Sequence, residues 1–207
     1  MGTTVTLTAT ADSGFLFSGW NGGGCTVNSA CAVVMSASLA VSSAFAASVA
    51  GKTYFVSPTG SDTSTGLSLG SPFKTINKAV SVVNAGDVIE VRSGTYNENV
   101  VIRRPGAANG WITLRGYNGE SAVIRGTSTG PSIYFYANAC DESAIGSGSG
   151  NTDCQPMYWV IQNMVVQGSA SGGGDGNAIK IDTPKVRLSN NKLCCAVADI
   201  VKLVRTS

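Results

Sequence analysis

Beyond Thr53 the chain runs in short bursts of alternating apolar and polar residues, and the bursts run into Asn or Gly. Asp87 to Ile102, DVIEVRSGTYNENVVI, reads as two short strands joined by a turn, with Gly94, Asn97 and Asn99 in the gap. WITLRGYNGE, YWVIQNMVVQG and KVRLSNNKLC have the same character, with GNAIKID between the last two and ADIVKLV after them. Ala178-Ile179-Lys180-Ile181 returns as Ile200-Val201-Lys202-Leu203, an offset of 22 residues (202 minus 180). Alternation with period two makes strands, and a repeat of roughly 20 to 50 residues with short strands in each unit marks a solenoid. The pattern predicts an all-β fold: a right-handed parallel β-helix in which each coil pairs with the coil below. Asn at the corners would stack into hydrogen-bonded ladders, and Gly would permit the tight bends.

One segment has a different period. Phe73, Ile76, Ala79, Val80 and Val83 form a single apolar stripe at helical spacing. Ser71 suits an N-cap, Pro72 the first helical position, and Asn84-Ala85-Gly86 a stop. The expected helix, Pro72 to Val83, would be an N-terminal cap over the open edge of the bottom coil. The first region, Gly2 to Ala46, is patterned as a separate small all-β module. TVTLTATADSG and FLFSGW are its first strands, NGGGCTVNSAC is a loop, and AVVMSASLAVSSAF holds two more strands around Ser36-Ala37-Ser38. ASVAGK, Ala47 to Lys52, is a linker, so the expected domains are residues 1–47 and 48–207.

Composition narrows the chemistry. The chain has 207 residues, 43% apolar and 13% charged, with 26 Gly and a net charge of +2. That apolar share supports a core, and the low charge suits an extracellular β-rich protein. Lys and Arg are scattered, so no nucleic-acid partner is expected. The absence of His excludes serine–histidine and cysteine–histidine catalysis and any His-built zinc site. Acid–base work falls to Asp, Glu, Lys, Arg, Tyr or Cys. The apolar run Ala32 to Ala50 lacks a preceding Lys or Arg and is broken by Ser. It reads neither as a signal peptide nor as a membrane span.

Six cysteines fall as Cys25/Cys31, Cys140/Cys154 and Cys194/Cys195. The first two pairs sit close in sequence in Gly/Ser/Asn-rich loops, without C-x-x-C spacing. Disulfides Cys25–Cys31 and Cys140–Cys154 are expected, with buried free thiols as the alternative. Disulfides imply an oxidising compartment. Cys194 and Cys195 are adjacent, and a bond between neighbours is strained. They read as free thiols, one facing into a strand and one facing out.

TVTLTATADSGFLFSGWNG, the paired cysteines and VVMSASLAVSSAF resemble the divergent InlB-type B-repeat of bacterial surface proteins. That resemblance implies a spacer or adhesion module without catalysis, in which Trp20 belongs to the core or serves as a sugar platform. Met1 is then expected to sit inside a longer natural chain. YFVSPTGSD, SPFKTINKAV and AGDVIEVRSGTYNE resemble the opening of pectate-lyase-like β-helix proteins, including those grouped with polysaccharide lyase family nine. The resemblance covers Thr53 to Gly126 well and the rest loosely. It implies β-elimination on an acidic polysaccharide. A basic residue removes the proton beside the uronate carboxylate, and calcium or cationic side chains neutralise that carboxylate.

Lys180 and Lys202 stand in the relation such chemistry asks for. Their apolar neighbours should point inward, so both lysines should point outward, stacked about 4.8 Å apart on successive coils. Like charges that close need an anion between them, and a uronate chain is one. The other reading is two solvated lysines that keep a sheet edge from self-pairing. Asp175, Asp182 and Asp199 flank the same strands and could supply oxygen ligands to calcium, or could be turn formers in Gly-rich corners. The resemblance's aspartate cluster is not matched residue by residue. Asp141, Glu142 and Asp153 lie in a loop between Cys140 and Cys154 that could wall a groove. Tyr134, Phe135 and Tyr136 suit no single face, so at least one should be exposed. The coil pattern still runs at VKLVRTS, so a C-terminally truncated form is expected. Two function classes follow: a polysaccharide lyase, and a non-catalytic adhesin, stalk or carbohydrate-binding surface module. A metal-dependent hydrolase with paired carboxylates is weaker, because no such pair falls on one strand. The expected partner is an acidic polysaccharide, met by an extracellular or cell-surface monomer.

Overall fold

The structure, a computed structural model, describes residues 2–12, 15–25, 30–127, 130–136, 156–168, 176–196 and 199–203. The chain divides into two compact units, Met1–Ala50 and Gly51–Ser207. In the first, β1 (Thr3–Thr8) pairs antiparallel with β3 (Ala30–Met35), and β2 (Phe15–Asn21) with β4 (Ser42–Ala47). The β2–β4 register shifts between Phe17 and Gly19, at a glycine with φ 147°. Phe17 meets Trp20 and Phe45 edge-on at 5.4 and 5.7 Å. Cys25 and Cys31 are joined in a disulfide.

The second unit is a parallel β-helix. Its first sheet stacks β5 (Thr53–Val56), β6 (Val88–Val91), β9 (Ile112–Gly116), β12 (Trp159–Gln162) and β15 (Val186–Ser189). The second stacks β7 (Gly94–Asn97), β10 (Ala122–Arg125), β13 (Val165–Gln167) and β16 (Lys192–Cys194). The third stacks β8 (Val100–Ile102), β11 (Ile133–Phe135), β14 (Ile179–Ile181) and β17 (Val201–Leu203). Every pairing in these sheets is parallel. Period-two alternation therefore sends one apolar row per sheet inward. Ile89, Leu114 and Ile161 line the first, Tyr96, Ile124 and Val166 the second, and Val100, Ile133 and Ile179 the third, all buried in one core. Asp87 to Ile102 holds three strands, β6, β7 and β8, rather than the two expected. The Gly-Asn gap is itself the short strand β7.

Asn residues at corners link coils. Asn191 Oδ1 accepts from the Met164 N–H at 3.0 Å, its Nδ2 donates to the Ile161 carbonyl at 2.8 Å, and Asn190 Nδ2 donates to Asn163 Oδ1 at 2.7 Å. Asn163 and Asn190 have φ of 55° and 52°, a region Asn tolerates better than most residues.

The helix α1 (Ile76–Val82) is shorter than expected and is capped by Thr75 rather than Ser71. Phe73 is the reason. Its backbone exchanges hydrogen bonds with Phe55 and Ser57, so the chain is still extended there. Asp62 then fixes Thr75 by accepting its N–H and its hydroxyl proton, each at 2.9 Å. The predicted stripe holds: Phe73, Ile76, Ala79, Val80 and Val83 are all buried, and α1 packs against β5, β6 and β8.

Candidate functional site

The outward row of the third sheet runs Val101, Tyr134, Lys180, Lys202 in parallel register. Lys180 and Lys202 are thus direct neighbours on successive coils. They are not equally open. Lys180 is only 6% exposed, whereas Lys202 is half-buried. The outward row alone does not decide exposure, because the Lys180 ammonium lies 4.9 Å from the centre of the Tyr134 ring and 4.0 Å from Asp182 Oδ2. An aromatic face and a carboxylate both attract an ammonium, and together they hold the side chain down. Asp182 is therefore the anion beside Lys180.

Cations and aromatics continue along this face. Tyr134 meets Tyr136 edge-on at 5.5 Å, and the Arg103 guanidinium stacks over Tyr136 at 4.1 Å. Phe135 is wholly buried, while Tyr134 and Tyr136 are half-buried. Strand alternation puts Phe135 inward and both tyrosines outward, and neither tyrosine is fully exposed because each packs against the other and under a cation.

The aspartates do not gather. Asp182 is 3% exposed and faces Lys180, Asp199 is exposed, and Asp175 lies outside the described residues. So do Cys140, Cys154, Asp141, Glu142 and Asp153. Among the described residues no group of three or more His, Cys, Asp or Glu could hold a metal ion. Asp182 faces the Lys180 ammonium, so the described carboxylates are not gathered into an oxygen cage of the kind calcium takes.

A second polar feature lies on the first sheet. Glu90 and Arg115 are register partners on β6 and β9. Arg115 Nε and Nη2 both donate to Glu90 Oε1, at 2.9 and 2.6 Å. Glu90 is 8% exposed, and its buried Oε2 has no hydrogen-bond partner. The pair opens into a groove of about 470 Å³, lined also by Tyr117, Asn118 and Asn163. Beside it, Arg92 Nε donates to both Glu120 carboxylate oxygens at 2.9 Å, and the Ser93 N–H reaches Oε2 at 2.7 Å. The Arg92 hydrogen bond, helped by Ser93, holds the Glu120 carboxyl below the usual carboxylate range. Arg92 also lies 5.1 Å from the Tyr117 ring. Sequence reasoning passed over this cluster. The signal was there: a lone Glu inside VIEV and a lone Arg inside ITLRG, both at outward positions.

The divergent InlB B-repeat domain model matches residues 1–49, and a model described as a protein of unknown function (DUF1565) matches residues 58–139. A pectate lyase, PEL9, of Emericella nidulans is 40% identical over 74 residues, which cover 35% of this chain and 18% of that protein. The uncharacterized protein YwoF of Bacillus subtilis is 36% identical over 80 residues, 39% of this chain and 17% of that one. This chain thus spans less than a fifth of either relative. A lacto-N-biosidase from Eubacterium ramulus shares the fold at a TM-score of 0.51 and 14% identity, over 68% of this chain and 26% of that one. No described helix is long and apolar enough to cross a membrane.

Proposed function

We propose that this chain belongs to a secreted or cell-surface β-helix protein that engages acidic polysaccharide along its third sheet. The observation that carries this reading is the row of Arg103, Tyr136, Tyr134, Lys180 and Lys202, in which two tyrosine rings lie between cations. A sugar chain offers apolar ring faces and, when it is a uronate, carboxylates. Aromatics stack on the first and ammonium or guanidinium groups pair with the second. The Cys25–Cys31 disulfide fits an oxidising exterior. The helix α1 covers the first coil and protects its edge from pairing with another chain.

The chemistry follows the likeness to pectate lyase: β-elimination, in which a base takes the proton beside the uronate carboxylate. Lys202 is the lysine solvent reaches, and we assign it the contact with the reacting sugar. Lys180, held by Tyr134 and Asp182 at 6% exposure, lies behind Lys202 and shapes its surroundings. The alternative is a non-catalytic adhesin or stalk, favoured by the B-repeat match over residues 1–49.

Elimination leaves an unsaturated uronate that absorbs in the ultraviolet, so turnover on polygalacturonate is read directly, with and without added calcium. Affinity electrophoresis on the same polymer reads binding. Turnover that is lost in Lys202→Ala supports the lyase. Retarded migration without turnover supports the adhesin. Neither, in the folded chain, overturns the acidic-polysaccharide reading.

A further inference from the structure

We propose that Cys194 and Cys195 form a redox-active vicinal pair, which closes to a disulfide between neighbouring residues in an oxidising medium. Their sulfur atoms lie 2.7 Å apart. Even carbon atoms, smaller than sulfur, rest at about 3.5–4.0 Å without a bond, and a disulfide needs roughly 2.0 Å. The two thiols are therefore already most of the way to bonding distance.

The backbone creates this approach. Successive side chains of a strand point to opposite faces, which ordinarily separates neighbouring cysteines. Here β16 stops at Cys194, and Cys195 takes a φ of 64°. That left-handed region is uncommon outside Gly, with Asn among the favoured exceptions. Asn118, Asn163 and Asn190 follow that preference, while Cys195, like Tyr158 and Lys185, departs from it. The left-handed step turns the Cys195 side chain back beside Cys194. Packing holds the corner there. The Gly168 N–H donates to the Cys194 carbonyl at 2.9 Å. A Cβ at Gly168 would collide with Cα and Cβ of Ala196. The coil below thus clamps the segment that carries both sulfurs.

Cys195 is exposed and Cys194 half-buried. The hydrogen bond it shares with Cys195, with burial, keeps the Cys194 thiol above its ordinary range. The exposed Cys195 is accordingly the first nucleophile. Its thiolate attacks a small-molecule disulfide, RSSR, forms a mixed disulfide and releases one RS⁻. Cys194, on losing its proton, attacks Cys195 Sγ and displaces the second RS⁻. The protein dithiol loses two protons and two electrons, and RSSR is reduced to two RSH. The ring formed is small and exposed, so it should be reduced more easily than Cys25–Cys31. Closure stiffens the corner that leads to β17, the strand carrying Lys202.

Trypsin cleavage after Lys192 and Lys202 releases Leu193–Lys202, which contains both sulfurs and no other cysteine. The full chain is held in a buffer of oxidised glutathione, alkylated without reductant and digested. The expected peptide carries no alkyl group and is lighter than the dithiol by two hydrogens. After reduction it takes up two alkyl groups. In Cys195→Ser kept free of oxidised glutathione, Cys194 is expected to alkylate without reductant, which shows that the reagent reaches the corner. The peptide Met1–Lys52 reports Cys25–Cys31 in the same digest. Two alkyl groups on Leu193–Lys202 beside a fully oxidised Met1–Lys52 would overturn the proposal. So would a bond from either sulfur to another cysteine.

Discussion

Glu98, at the corner between β7 and β8, accepts the backbone N–H groups of Ile76 and Asn77 at 2.8 and 2.9 Å. The first turn of a helix has N–H groups with no partner inside the helix, and its dipole favours negative charge there. One carboxylate from 22 residues away meets both needs and ties α1 to the coil it packs on. Thr75 Oγ1 takes the Lys78 N–H at 3.1 Å. A helix this short would not persist alone in water. Glu98→Ala is expected to lower stability by about 2 kcal/mol, since hydrogen bonds to a charged group contribute about 1.5–3 kcal/mol each and water replaces part of them. Urea denaturation checks this, and an unchanged midpoint would remove Glu98 from the account.

Asp62 makes the same junction sensitive to acid. Burial pushes its carboxyl up, but hydrogen bonds from Thr75 and Lys74 outweigh that and hold it below its ordinary value. A carboxyl lowered by folding contributes stability that is present above its unfolded value, about 3.9. That stability is lost as pH falls through the lower folded value. Asp62→Asn should therefore melt below the parent at neutral pH, and the difference should shrink as pH drops below about 4. A difference that stays constant down to strong acid would contradict the assignment.

Lys180 and Lys202 should behave differently when truncated, although they face each other across one coil. Lys180→Ala leaves the 3%-exposed Asp182 without its cation, and breaking a buried pair in this way costs about 3–5 kcal/mol. Lys202→Ala, at a half-buried position, should cost less than about 1 kcal/mol. Thermal melts of the two variants decide this. Equal losses would mean that Lys180 is not held as described. For polysaccharide assays the consequence is practical, because Lys202→Ala tests function and Lys180→Ala also tests folding.

Arg115→Ala removes the partner of a nearly buried carboxylate. The Arg115 side chain is 41% exposed, so solvent offsets part of the cost; the expected loss is about 1–2 kcal/mol, and a compensating Glu90→Leu in the same chain should recover part of it. A double-mutant cycle by chemical denaturation measures the coupling. Strict additivity would show that Glu90 is satisfied by solvent in the groove rather than by Arg115.

Gly168→Ala should distort the corner at Ala196, since the added methyl meets backbone rather than a flexible side-chain end. An expected loss of about 1–3 kcal/mol follows from overpacking. Hydrogen exchange at the Gly168 amide, protected in the parent by the Cys194 carbonyl, reads the same contact locally.

The linear pattern carried the local and periodic features of this protein. Period two around Ile179 and Ile181, and its return 22 residues later, was enough to predict coils, because each inward apolar residue must meet the one below it. The helical stripe from Phe73 to Val83 was legible for the same reason, and so was a short loop closed by Cys25 and Cys31. Tertiary structure decided where long-range polar partners intervene. The helix begins at Ile76 because Asp62, 13 residues away, holds the N-cap Thr75, Glu98, 22 residues away, takes the Ile76 N–H, and Phe73 stays extended. Period two put Lys180 in an outward row, but the Tyr134 ring and the Asp182 carboxylate lie against that ammonium once the chain has wound. Glu90 and Arg115, 25 residues apart, become one pair only when coils stack. The nearness of Cys194 and Cys195 goes with a left-handed step at Cys195, between two residues that meet Gly168 of the neighbouring coil. Burial in apolar rows is repeated at every coil, so it shows in a one-dimensional pattern. A hydrogen bond or ion pair between coils depends on register, and register exists only after the chain has wound.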